Sequence, residues 1–303
     1  MGALDRSLDA LGVDPELVLE PKVDTLRALL LIHVALRALQ IARLPEFFAV
    51  SRGGFVVAAT LAALLGLLAW SPVSGLGAAR RAQIGRLGAT LATAQLAIQV
   101  GISFPFIPNH LFLELLCCGL LTIYGAPRSE DRQLLLTAVR WIAALVLLWT
   151  GIQKLWWGTW DHGEFLAAAI AERDSFATFM APLLSTAELQ QLRGMELTIG
   201  GGPLRLEGGW GLALSNLTWI LEIALPLGML WPRSRSAAVG GAVGLVCLIE
   251  LAARELFFGL LFVQLLLVIP PGRTLQRSAP LLLGLYGLLA LALAGGLPLG
   301  RFN

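Results

Sequence analysis

Trp141-Ile-Ala-Ala-Leu-Val-Leu-Leu-Trp-Thr-Gly-Ile-Gln-Lys-Leu-Trp-Trp157 is an apolar run broken by a single cation, Lys154. With the residues before it, the run reaches the roughly 18 apolar positions that mark a membrane span. An ionisable group at that depth is costly, and by default it marks a functional site. Of the 22 basic side chains, 20 are Arg and only Lys22 and Lys154 are Lys. Lys, unlike Arg, can give up its proton when desolvated and serve as a base or nucleophile. The residue type at this position therefore points to chemistry.

Several other runs have the same character. Hydrophobic residues make up 57% of the 303 and charged residues 14%, which excludes an ordinary soluble domain. Nine segments read as spans: 26–45, 54–70, 84–104, 110–126, 134–157, 211–231, 237–253, 256–270 and 280–298. The first is the weakest, because His33, Arg37 and Arg43 interrupt it. The expected fold class is all-α, a polytopic membrane bundle of about nine transmembrane helices. Residues 1–25 form an N-terminal segment and 299–303 a short tail, with the membrane domain over 26–298. No cleavable leader is read, because the first residues are studded with charge and lack an apolar core. The three cysteines, Cys117, Cys118 and Cys247, make no C-x-x-C pair, so no redox motif or disulfide framework is indicated. No basic tract suggests nucleic acid, and the lipid bilayer is the expected surrounding.

Arginines set the expected orientation. Arg80, Arg81 and Arg86 lie between spans two and three, Arg128 and Arg132 between four and five. Arg233 and Arg235 lie between six and seven, Arg273 and Arg277 between eight and nine. Alternating spans put all four groups on one side, which the positive-inside rule makes cytoplasmic. The N-terminus is then inside, and the loop 158–210 faces outward with seven acidic against three basic residues. Within it, Ser185-Thr-Ala-Glu188 reads as a capped helix start. Residues 196–207 read as a small hairpin around a glycine turn.

Helical rise places the buried polar groups. Counted from the nearest inner Arg at ~1.5 Å per residue, Lys154, Glu114, Glu250 and Gln99 all come about 20 to 22 Å up. They share one layer in the outer half of the bilayer, with Asn109 and His110 about a turn higher and Glu222 lower, near the midplane. A cation and carboxylates at one depth need one another. The structural reading is an ion pair from Lys154 to Glu114 or Glu250, with Glu250 also bridged locally to Arg254 at i+4. Trp149, Trp156, Trp157 and Trp160 surround the lysine, either as an interfacial aromatic belt or as walls of a pocket for a flat ligand such as a quinone.

Three stretches carry a family resemblance. Gly151-Ile-Gln-Lys-Leu-Trp-Trp-Gly-Thr-Trp-Asp-His-Gly163 resembles the lysine motif of vitamin K-dependent gamma-glutamyl carboxylase and of the related bacterial horizontally transferred transmembrane (HTTM) proteins. Pro108-Asn-His-Leu-Phe-Leu-Glu-Leu-Leu is similar to the family's Asn-His pair opening a transmembrane helix. Trp219-Ile-Leu-Glu-Ile-Ala-Leu-Pro-Leu-Gly, followed by Arg233 and Arg235, is a third and weaker match. Together they cover about residues 100–272 in order.

The resemblance implies a bacterial cytoplasmic-membrane enzyme with its active face outward, working on a reduced quinone with O2 and CO2 as co-substrates. No metal is implied. Lys154 would be the base that deprotonates the vitamin K-type hydroquinone, and His110 would orient or assist it. Asn109 would help hold the quinol. The shared depth adds Glu250 to the catalytic set and Glu114 and Gln99 to the quinone site, walled by Trp156, Trp157 and Trp160. A secreted peptide or protein is the implied second substrate. The chain departs from the pattern in two respects: the seventh span offers carboxylates where a family histidine would stand, and there is no large soluble substrate-docking domain. A non-catalytic scaffold binding a secreted partner through 158–210 is the alternative. A thiol oxidoreductase subunit is disfavoured by the missing C-x-x-C, and a transporter by the lack of paired broken helices.

Overall fold

Long apolar segments have to satisfy their backbone internally, and helix does so within one segment. The computed structural model describes residues 11, 14–42, 52–70, 74–104, 109–125, 128–195 and 204–296, and its regular elements are all helical. In chain order the α-helices are α1 (Glu16–Ala42), α2 (Arg52–Leu68), α3 (Ala78–Ser103), α4 (Asn109–Tyr124), α5 (Ser129–Trp157), α6 (Glu164–Glu172), α7 (Asp174–Met180), α8 (Thr186–Arg193), α9 (Gly209–Met229), α10 (Arg235–Ala253), α11 (Leu256–Leu266) and α12 (Thr274–Ala294). Five of them, α1, α5, α9, α10 and α12, are long and apolar enough to cross a membrane. The apolar parts of α2, α4 and α11 are shorter, and α3 carries Arg80, Arg81 and Arg86 in its first turns.

The chain divides into two compact units, one built from residues up to Trp141 and from Leu260 onward, the other from Ile142–Gly259. In the first unit α1 is the central element, packing against α2, α3, α4 and α12. It was expected to be the weakest span, beginning near residue 26. Instead the helix starts at Glu16, and its polar residues are the reason it sits centrally. Lys22, Asp24, Arg27, His33 and Arg37 are all buried and point at groups on other segments or along the helix. Arg27 donates to Asp24 at 3.0 Å and to the Gly125 carbonyl at 3.3 Å. Composition reads these side chains as interruptions; partners make them tolerable.

At the start of this unit Asp14 gathers two buried cations. Lys22 Nζ lies 3.2 Å from each carboxylate oxygen and donates to the Pro270 carbonyl at 2.8 Å. Arg140 pairs with the same carboxylate and donates to the Val268 carbonyl at 3.0 Å. The Gly272 N–H adds a bond of 2.8 Å. One aspartate thus joins α1, α5 and the turn between α11 and α12.

In the second unit α9 is inverted relative to a helix on a soluble protein. Its buried face is Gly211, Ser215, Thr218, Glu222, Pro226 and Met229, while Leu217, Ile220 and Leu227 are exposed. A stripe at i, i+3, i+4 spacing that hides its polar groups and shows its leucines fits a lipid surround.

The segment between α5 and α9 is a packed helical module. Trp160, Leu166, Ile170, Phe176, Met180, Leu192 and Leu206 form its core. Ser185 caps α8, its Oγ accepting from Glu188 N–H at 3.1 Å, as the sequence suggests. The Glu188 side chain does not turn back to complete a capping box. It accepts instead from the backbone N–H groups of Glu207 and Gly208, at 2.8 and 3.0 Å, at the entrance to α9. Arg193 closes the other end of the module, donating to the Ile170 and Ala171 carbonyls at 3.1 Å. Residues 196–203 of the expected hairpin, and the tail 299–303, lie outside the described residues; 204–207 form no strand. Glu188→Ala is expected to destabilise the module by about 1–3 kcal/mol, because two part-buried backbone N–H groups lose a charged acceptor. Glu188→Gln, which keeps an acceptor oxygen, should cost less. Limited proteolysis across 158–210 reads the difference.

Candidate functional site

Lys154 stands in the last turn of α5, and its partner is Glu222 on α9. Nζ lies 2.5 and 2.6 Å from the two carboxylate oxygens. The carboxylate side chain is 4% exposed and the lysine 19%, so the pair is largely but not wholly withdrawn from solvent. The expected partners, Glu114 and Glu250, are not the ones the lysine uses. Depth counting misses Glu222 because it compares Cα heights. A lysine stem covers about one helical turn of ~5.4 Å, enough to reach a carboxylate set lower.

Gly151 makes the reach possible. A Cβ there would meet Ile223 Cγ1 at 2.8 Å, Glu222 Cβ at 2.9 Å and the Glu222 carbonyl carbon at 3.1 Å. The glycine lets α5 and α9 touch backbone to backbone one turn before the lysine. Pro226, one turn after Glu222, offers no N–H to the Glu222 carbonyl, so the ladder of α9 is interrupted beside the site. Gly151→Ala is expected to push the helices apart and lower stability by about 1 kcal/mol or more, since a clash with backbone outweighs the helix-propensity gain. Thermal unfolding of the variant checks this.

Of the four tryptophans around the lysine, Trp160 alone covers it, with Nζ 4.6 Å from the ring centroid. Gly158, in the left-handed region at φ 67°, ends α5 and folds the chain back so that Trp160 returns over its last turn. Its ring stacks on Phe165 at 4.7 Å between centroids, and its carbonyl accepts from Ser215 Oγ at 2.6 Å. Gly163, at φ 69° and with Leu206 where a Cβ would stand, tightens the same turn. Trp149, Trp156 and Trp157 are 59%, 82% and 73% exposed and form an outward belt, so Trp156 and Trp157 do not wall the lysine.

The remaining expected site residues fall elsewhere. Glu250 belongs to the same unit but packs against Gly259, and its carboxylate accepts from the Glu255 backbone N–H. Its bridge to Arg254 is not formed: Arg254 takes φ 56° as the C-cap of α10 and donates only its backbone N–H to the Glu250 carbonyl. Gln99, Asn109, His110 and Glu114 belong to the first unit. There Gln99 is buried, Asn109 is exposed, and Glu114 is bonded to His33 and Arg37. The residue missed by sequence reasoning is Glu222. The available signal was its place in the third family-like stretch.

The class that fold and site define is an all-helical protein of membrane-spanning character with a shielded Lys–Glu pair under an aromatic face. No family model matches the chain, and no curated protein or solved structure matches it.

Proposed function

We propose that this chain is a membrane enzyme that takes a proton from a reduced, vitamin K-type hydroquinone, with Lys154 as base. The observation that carries the reading is the contact of Lys154 Nζ with both Glu222 oxygens beneath the Trp160 ring. An ammonium cannot act as a base; it must first lose a proton. Glu222 supplies the place for it. Moving one proton from nitrogen to carboxylate turns a charged pair into a neutral one, with no change in net charge. In poorly hydrated surroundings that exchange carries a small electrostatic penalty. The neutral amine then accepts the hydroxyl proton of the hydroquinone, which would enter along the edge of the Trp160 ring, since Phe165 and the amine already occupy its faces.

The family-like stretches extend the proposal. If the shorter apolar helices also cross, giving nine spans, the N-terminus would lie inside and this site on the outer face of a bacterial cytoplasmic membrane. The hydroquinone anion would react with O2 to give a base strong enough to remove a proton from a peptide glutamate, to which CO2 adds. A secreted peptide would approach by way of 158–210.

The test is hydroquinone oxidation by the purified protein in lipid vesicles under oxygen. Wild type should turn over, while Lys154→Met and Lys154→Arg should both lose about 100-fold or more, since guanidinium does not yield its proton. Wild-type turnover in Lys154→Met would reject lysine as the base. A second reading has its own support in the completeness of the ion pair: the chain is a scaffold, and Lys154–Glu222 fastens α5 to α9. It expects no turnover from wild type and capture of a secreted protein that depends on the 158–210 module.

A further inference from the structure

Four buried side chains of the first unit form one hydrogen-bonded chain that the Lys154 reading does not use. Glu114 Oε1 lies 3.2 Å from His33 Nε2, and His33 Nδ1 lies 3.2 Å from the Tyr286 hydroxyl. That hydroxyl lies 3.4 Å from Gln264 Oε1. Arg37 Nε approaches the same Glu114 oxygen at 3.4 Å. Exposure is 0% for His33 and Gln264, 1% for Glu114 and 2% for Tyr286, so bulk water does not complete these bonds.

The donors and acceptors restrict where protons can sit. A phenol has one proton to give and an amide oxygen has none. With Tyr286 donating to Gln264, the contact between Tyr286 and His33 needs a proton on Nδ1. The contact at Nε2 then needs a second proton, held as an imidazolium facing ionised Glu114 or as a neutral ring facing a protonated carboxyl. If the Gln264 amide turns over, its NH2 group meets the phenol oxygen instead. Tyr286 then donates to Nδ1, and a neutral ring carrying its proton on Nε2 satisfies Glu114. The two complete arrangements differ by one proton and one amide rotation. Gln264 Nε2 has no hydrogen-bond partner as it stands, nor has Glu114 Oε2, so the rotation breaks no bond at that nitrogen.

We propose that Glu114, His33, Tyr286 and Gln264 form a proton-loading site, which takes up one proton at the His33–Glu114 pair as the Gln264 amide turns. The ligand is the proton itself. It arrives on the imidazole, is held between Glu114 and the Tyr286 oxygen, and leaves by the reverse rotation. The Arg37 guanidinium on the same Glu114 oxygen pairs with a carboxylate rather than a carboxyl, and His110, Cys117 and Cys118 are the other titratable groups around it. The loaded state is therefore an imidazolium between a carboxylate and a phenol oxygen. The site stands independently of any role for Lys154.

The chain has three histidines, His33, His110 and His162, so the experiment is nitrogen NMR of histidine-labelled protein in lipid nanodiscs, each signal assigned by single substitution. His33 is expected to pass, as pH rises, from a ring with both nitrogens protonated to a neutral ring protonated on Nε2. Tyr286→Phe removes the acceptor of the Nδ1 proton. Gln264→Leu removes the acceptor of the phenol proton, which then turns to Nδ1. Each should lower the ratio of charged to neutral ring, read at one pH, by about tenfold, as befits a lost hydrogen bond to a charged group. A single protonation state throughout, a neutral ring protonated on Nδ1, or an unchanged ratio in either variant would overturn the proposal. The wild-type titration decides the matter even where a variant fails to fold.

Discussion

Glu222→Ala is expected to abolish hydroquinone oxidation and to destabilise the second unit by about 3 kcal/mol. The second figure follows from removing one partner of a shielded ion pair, which leaves an uncompensated charge and typically costs about 3–5 kcal/mol. The lower end applies because Lys154 keeps some contact with solvent, at 19% exposure. The loss of turnover follows from chemistry, since without Glu222 the ammonium has nowhere to pass its proton. The double variant Lys154→Met, Glu222→Met separates the two effects. Replacing a buried pair by apolar side chains of similar volume is often neutral or stabilising. Thermal unfolding in detergent should therefore return to near wild type while turnover stays absent. If the double variant recovers both, the pair is only a fastener. If it recovers neither, the pair also has a packing role that methionine cannot fill.

Asp14→Ala should have the largest effect on stability alone. Lys22 and Arg140, both 0% exposed, would share no carboxylate, and the Gly272 N–H would lose its acceptor. Loss of at least about 3–5 kcal/mol is expected, with the first unit unfolding before the second. Asp14→Asn should be milder, because an amide oxygen still accepts two of the bonds. Unfolding followed by a probe in each unit measures the order, and coincident, unshifted transitions would show that Asp14 is dispensable.

How much of this was legible in the sequence varies with the kind of information each residue carries. The helices were visible because apolar length is local, and α5, α9, α10 and α12 fall where the apolar runs do. α1 was misjudged for a physical reason. His33 and Arg37 look like interruptions until Glu114, from another helix, is seen to meet both. Lys154 stood out by residue type, but its partner depended on Gly151 letting two backbones approach, which no depth count contains. The tryptophans show the same limit. Trp156 and Trp157 continue the helix and face out, whereas Trp160 follows the left-handed turn at Gly158 and comes back over the amine. Glu188 was recognised at a helix start, yet its carboxylate serves a different helix, α9.

The role proposed for the Lys154 amine is proton exchange with a bound phenol. A structure of the protein in lipid with a hydroquinone analogue tests it most directly. Expected is a ring beside Trp160 and a phenol oxygen within about 3 Å of Nζ, with Glu222 still on the amine's other side. An analogue bound far from Lys154, with the Lys154–Glu222 contact undisturbed, would contradict it.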